Sequence, residues 1–313
     1  SLRPDFAEAH NDLGDTLKQL GRMDEAEKSF RTALALKPAF AEAHNNLGTV
    51  LQEQGRLEEA RQSIRTAIRL KPDYYEAHYN LHSLVLDPDD TSLSIECMKK
   101  ALDLKPDHDE FAFHLGLLLD YSGRAAEAAP HFERISRSEL HRAKLDAWRH
   151  LRSSGARVPP MTGSNIEAFR LGLAAARPEG LVLEFGVRFG TSIRQIAALA
   201  KQPVHGFDSF EGLPETWHHE PRGSYTTKGV VPAVPDNVTL HVGWFEDTLP
   251  RFLREHAGPV RFMNVDCDIY SSARTVLELL AERIVPGTVI VFDEYIGYRE
   301  WRGDEYQIGR AHV

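Results

Sequence analysis

The chain has 313 residues, enough for two domains of ordinary size, and its 42% apolar and 27% charged residues are typical of a globular protein. A net charge of −9 without any basic block excludes an electrostatic nucleic-acid footprint, and no apolar run approaches the ~18 residues that a membrane span needs. Two distant cysteines, Cys97 and Cys267, offer neither a disulfide framework nor metal-type spacing and fit a reducing cytoplasm.

The first half is periodic. Pro4, Pro38, Pro72 and Pro106 recur every 34 residues. Leu13-Gly14, Leu47-Gly48, Leu81-His82 and Leu115-Gly116 share one phase. Ala26, Ala60, Ser94 and Ala128 share a second, and Phe30, Ile64, Met98 and Phe132 a third. Small residues let paired helices approach, large ones fill the space between them, and proline closes each unit. On these residues the stretch 1–137 resembles the tetratricopeptide repeat, in about four copies forming an α-solenoid. The third copy departs, with His82 for glycine, Ser94 for alanine and Asp87-Pro-Asp-Asp90 between its helices, so looser packing is expected there. The fourth lacks the closing proline and is expected to cap the array. Such arrays bind a protein or peptide, with Asn11, Asn45, Asn46 and Asn80 as candidates and solvated helix positions as the alternative. His10, His44 and His78 recur with the period and read as repeat positions, not metal ligands.

Residues 138–159 read as a helical linker or cap, with Trp148 packing and Arg157-Val-Pro-Pro160 ending the helix. An amphipathic helix over 165–176 then leads into the second half.

Five strands are predicted at 181–185, 204–207, 238–242, 261–265 and 288–292, with helices at 192–200, 249–255 and 272–283. This alternation predicts a doubly wound parallel sheet, whose ligands bind beyond the carboxyl ends of the strands. The first strand runs into Glu184, Gly186, Gly190, Thr191 and Ser192, a tight turn and helix start that suit a nucleotide-like cofactor. Asp208 ends the second strand, about where an acid accepts hydrogen bonds from ribose hydroxyls. Gly243-Trp-Phe-Glu-Asp247 follows the third and offers an aromatic beside an adenine. Asp266-Cys-Asp268 and Asp293-Glu294 end the fourth and fifth. Four of five strands thus deliver carboxylates to one edge.

Glu184-x-Gly186-x-x-x-Gly190-Thr-Ser192 resembles the first motif of class I S-adenosylmethionine-dependent methyltransferases. Together with Phe207–Pro214, Gly243–Pro250, Val265–Ser272 and Pro286–Tyr295, it resembles the macrocin O-methyltransferase family, over roughly 160–307. The resemblance implies a Rossmann-like fold and methyl transfer to a hydroxyl of a sugar or glycosylated metabolite. It implies S-adenosylmethionine held by Gly186, Gly190, Asp208, Ser209, Phe210, Trp244, Phe245 and Glu246, and magnesium held by Asp266, Asp293 and Glu294. Glu294 stands where the family commonly has aspartate. Asp266 and Asp268 are the catalytic candidates, with His218 and His219 as further proton acceptors; the 211–236 loop reads either as a cover over the substrate or as a solvated loop with incidental aromatics. The alternative is an interaction scaffold whose methyltransferase-like domain is inactive. Such domains have two more strands, so the fold is expected to be cut after strand five, and 308–313 reads as a non-native tail.

Overall fold

The 34-residue period becomes four helix pairs in the computed structural model, which describes residues 6–139, 141–155, 158–293 and 301–303. The pairs are α1 (Ala7–Gln19) with α2 (Met23–Leu36), α3 (Ala41–Glu53) with α4 (Leu57–Leu70), α5 (Tyr75–Leu84) with α6 (Ser92–Leu104), and α7 (Asp109–Tyr121) with α8 (Ala125–Ser136). The glycine phase marks the closest approach within a pair. A Cβ at Gly14, Gly48 or Gly116 would lie 2.6, 2.4 or 2.8 Å from Phe30, Ile64 or Phe132.

The turns between paired helices share one construction. Gly21, Gly55 and Gly123 adopt positive φ, which other residues rarely tolerate. The arginine after each pairs with a glutamate three residues on, Arg22 with Glu25, Arg56 with Glu59 and Arg124 with Glu127. Links between repeats also recur: Lys37 pairs with Glu8 and Lys71 with Glu42. His44 and His78 each bond the carbonyl of the repeat proline six residues back, at 3.0 Å, which is a structural use of the periodic histidine. The candidate asparagines bond one another across repeats. Asn46 donates to Asn11 at 3.1 Å and Asn80 to Asn45 at 2.9 Å.

The third pair is built differently. Its first helix has 10 residues, where α1, α3 and α7 have 13. Its turn has no glycine; Asp87 and Asp90 side chains accept the Asp89 and Ser92 amides instead. His82 is buried, and fully buried Ser94 donates to the His82 carbonyl. The array continues into α9 (Arg142–Ser153), which buries Leu145 with Phe113 and Ile135. Trp148 of α9 donates its indole N–H to Asp120 at 2.9 Å.

The chain divides into two compact units, Ser1–Asn165 and Ile166–Val313. Residues 161–163 lie with the first unit. Met161 packs on the cluster around Phe111 and Leu115, and the Gly163 carbonyl accepts from Gln52 at 3.0 Å.

In the second unit α10 (Asn165–Ala175) precedes a parallel sheet of β1 (Leu181–Phe185), β2 (Val204–Asp208), β3 (Val238–Val242), β4 (Val260–Val265) and β5 (Val289–Phe292). The strand order is β3-β2-β1-β4-β5, so the order reverses beside β1. Connecting helices are α11 (Thr191–Ala200), α12 (Phe245–Glu255) and α13 (Tyr270–Leu280). Strand side chains alternate between faces. Leu183, Phe185, Met263 and Val265 pack under α12 and α13, while Val182 and Phe262 pack under α10 and α11. Covering both faces explains the nearly unbroken apolar runs of β1 and β4. Gly206 in β2 admits α11, because a Cβ there would sit 2.4 Å from Ile193.

Among the described residues no helix is long and apolar enough to cross a membrane. Both cysteines are free thiols. Glu294 and the suspected tail at 308–313 lie outside the described residues.

Candidate active site

Each strand end extends the sheet ladder by one further bond and brings the next residue to the same edge. Gly186 N–H donates to Phe207, Asp266 N–H to Phe185, Gly243 N–H to Asp208 and Asp293 N–H to Val265, at 2.8–3.1 Å. Glycine at 186 is a steric requirement: φ is +89°, and a Cβ would lie 1.6 Å from the Asp266 carbonyl oxygen. The turn after β1 can therefore lie flat on the end of β4.

A cavity of about 460 Å³ opens at this edge. Its walls include Asp208, Glu246, Asp266, Asp268 and Asp293, against one basic residue among those described, Arg188. The acids act on one another. Asp268 is pushed up to about 6, by burial first and then by the charge of Asp293, while Arg188 pulls it down. Burial also raises Asp293 above the usual carboxylate range. Trp244 and Phe245, at the start of α12, line the same cavity.

Asp208 has a second task. One oxygen accepts the Val187 and Arg188 amides at 2.9 and 2.7 Å, and the other accepts the Phe210 amide at 2.6 Å. A carboxylate has about four acceptor positions, so the clamp leaves about one for a ligand hydroxyl. The clamp also fixes Arg188 at positive φ (+46°), with its guanidinium 5.0 Å from the Tyr225 ring.

Of the residues expected to hold a cofactor, Gly186, Asp208, Ser209, Trp244, Phe245 and Glu246 line the cavity. Glu184, Gly190, Thr191, Ser192 and Phe210 do not. Gly190 faces the Pro232 side chain instead, and Arg194 of α11 bonds the Ala233 carbonyl, so the 232–233 segment covers that helix start. Phe210 is buried in the core, and its carbonyl accepts from Thr226. Glu184 is fully buried beneath the site. One oxygen accepts from Asn264 at 3.0 Å, the other has no hydrogen-bond partner among the described residues, and burial pushes its carboxyl up to about 8.

Asp266, Asp268 and Asp293 meet in the cavity, but among the described residues no three such groups converge closely enough to hold a metal ion. His218 and His219 do not line it; His219 is exposed beside Glu220. Arg188, Ser271, Ser272 and Thr275 do line it and were not singled out from the sequence. The one signal for Arg188 was its place as the sole basic residue inside the glycine turn.

Residues 183–295 match the methyltransferase domain family, and residues 11–75 match the tetratricopeptide repeat family. A curated relative from Streptomyces olivaceus is the 8-demethyl-8-(2,3-dimethoxy-alpha-L-rhamnosyl)-tetracenomycin-C 4'-O-methyltransferase. It is 33% identical over 142 residues, covering 37% of this chain and 53% of the relative. The chain thus spans about half the length of that relative. Among solved structures, MamA 41-end from Desulfovibrio magneticus RS-1 is 25% identical with a TM-score of 0.37, over 49% of this chain and 79% of that one. YrrB, a TPR protein with an unusual peptide-binding site, is 18% identical with a TM-score of 0.43, over 49% and 78%. This chain joins tetratricopeptide repeats to a methyltransferase domain.

Proposed function

We propose that the chain is an S-adenosylmethionine-dependent, magnesium-assisted O-methyltransferase acting on a hydroxyl of a sugar or glycosylated metabolite, with the array recruiting a protein or peptide. One observation carries the reading: a cavity at the strand ends that, among the described residues, has five carboxylates, one guanidinium and the aromatic rings of Tyr225, Trp244 and Phe245. A field of that sign favours a cationic donor and a divalent ion over an anionic nucleotide-sugar. The O-methyltransferase relative, whose name describes a rhamnosyl-bearing substrate, supports the choice of acceptor.

The donor set fits the cofactor, and for the metal ion it offers two cavity-lining carboxylates, Asp266 and Asp293. Trp244 and Phe245 would flank an adenine, the open acceptor position of Asp208 would take a ribose hydroxyl, and Gly186 would admit the methionine portion. When bound, the cofactor supplies a methyl group on a positively charged sulfur. Magnesium prefers carboxylate oxygens, and Asp266 and Asp293 would hold it with Glu294. When bound, it supplies a Lewis acid that lowers the pKa of a coordinated hydroxyl. The chain's own residues do the rest. The aromatic walls exclude water, and the Asp208 clamp keeps the glycine turn in one shape. Asp268, which lines the same cavity as Asp266, would take the acceptor's proton. Fixing donor and acceptor in line can lower a barrier by up to ~7–11 kcal/mol in favourable cases.

The test is transfer of labelled methyl from S-adenosylmethionine to acceptors bearing vicinal hydroxyls. Asp293→Asn is expected to cut the rate about a hundredfold, roughly 2.7 kcal/mol of barrier. Full activity of that variant, or full activity in chelator, would refute the metal role. Cofactor binding without transfer to any acceptor would favour the scaffold alternative.

A further inference from the structure

Two departures of the third repeat, His82 and the early end of α5, fall in one place. Because α5 stops at Leu84, its last carbonyls are not covered by a further helical turn. A groove of about 430 Å³ lies there, on the face formed by the first helices of repeats two to four. It is lined by Gln52, Tyr79, Asn80, His82, Ser83 and His114, among others. A segment of the same chain, Met161-Thr-Gly163, forms part of its wall.

The seating is specific at three points. Met161 packs beside the cluster containing Phe111, Leu115 and Tyr79. Gln52 donates to the Gly163 carbonyl at 3.0 Å and to the Ser83 hydroxyl at 3.1 Å. Residue 163 must be glycine, because a Cβ would lie 1.8 Å from the Ser83 carbonyl oxygen and 2.6 Å from its carbon. Both sides of that contact are backbone, so no side-chain rotation relieves it. The groove carries no formal charge. Burial pushes His114 down to about 3, and burial likewise lowers His82, so both rings are neutral near pH 7. The segment matches this with three uncharged residues.

Resting on the peptide-recruiting role proposed for the array, we propose that Met161-Thr162-Gly163 holds in cis a peptide-binding strip along this groove, and that an external partner enters by presenting an extended, uncharged apolar–polar–glycine peptide that displaces it. A tethered segment acts at an effective concentration in the millimolar range, so a free peptide competes poorly with the intact chain. The groove's preference for glycine then sets which partners qualify.

The experiment uses the full chain and a fluorescently labelled peptide of residues 158–165, followed by anisotropy. Gly163→Ala in the chain ejects the resident segment, and this variant is expected to bind the peptide at least tenfold more tightly than the native chain. Adding Gln52→Ala should reverse the gain. Independently of any variant's folding, the native chain should bind the peptide at millimolar concentration and reject the same peptide carrying Gly163→Ala. Equal binding by the native and Gly163→Ala chains would overturn the proposal. So would indifference of the native chain to the alanine-bearing peptide.

Discussion

Glu184 is fully buried, and Asn264 donates to one of its oxygens. Its carboxyl is pushed up to about 8 by burial, with Asp208 adding to the rise and Ser192 and Asn264 opposing it. The folded chain therefore keeps a proton that the unfolded chain, titrating near 4.5, releases. The stability this group contributes is complete below about pH 4.5 and is lost as pH rises through about 8, at up to ~1.4 kcal/mol per pH unit. Glu184→Gln removes that dependence. Urea unfolding across this window should show the variant gaining stability relative to the native chain as pH rises; a constant difference would contradict the assignment. His205 has the opposite sign. Burial, then the charges of His256 and His241, depresses it to about 4. Its contribution is present above about pH 6.5 and is lost as pH falls toward 4. The two groups oppose each other, so Glu184→Gln should also steepen the chain's loss of stability in acid.

At the scale of elements, the array depends on close approach within each helix pair. Gly48→Ala would put a methyl 2.4 Å from Ile64 and 3.2 Å from the Ala60 carbonyl. Overpacking of this kind costs about 1–3 kcal/mol, measurable as a lower urea midpoint with far-ultraviolet circular dichroism as the signal. A neutral result would mean that the pair spreads at no cost. Repeats were legible in the sequence because one steric rule recurs every 34 residues and each copy corroborates the others. The third repeat was legible only as a departure. Nothing local said that Leu84 would end its helix, or that residues 161–163 would fill the space, since that contact joins positions about 80 apart in sequence. The strands were legible because both faces are covered, which makes each a short apolar run. The ends of the helices were less so, since α12 starts at Phe245, before its apolar pattern becomes visible at Leu249.

At the scale of the whole molecule, one edge of the sheet collects the acids of several strands, and this was readable from the strand alternation alone. What escaped was the division of labour there. Asp208 spends most of its acceptor capacity on the turn after β1, and Gly190 faces Pro232, because loops far apart in sequence fold over the site. Arg188 enters the cavity for the same reason: the clamp on its own amide fixes its direction. The measurement that bears most directly on the central claim is calorimetric titration of S-adenosylmethionine into the full chain and its Trp244→Ala variant, with and without magnesium. Saturable one-to-one binding in the micromolar range is expected, weakened at least tenfold in the variant, a loss of about 1.4 kcal/mol. No binding up to millimolar cofactor by the folded chain, or binding unchanged by Trp244→Ala, would contradict it.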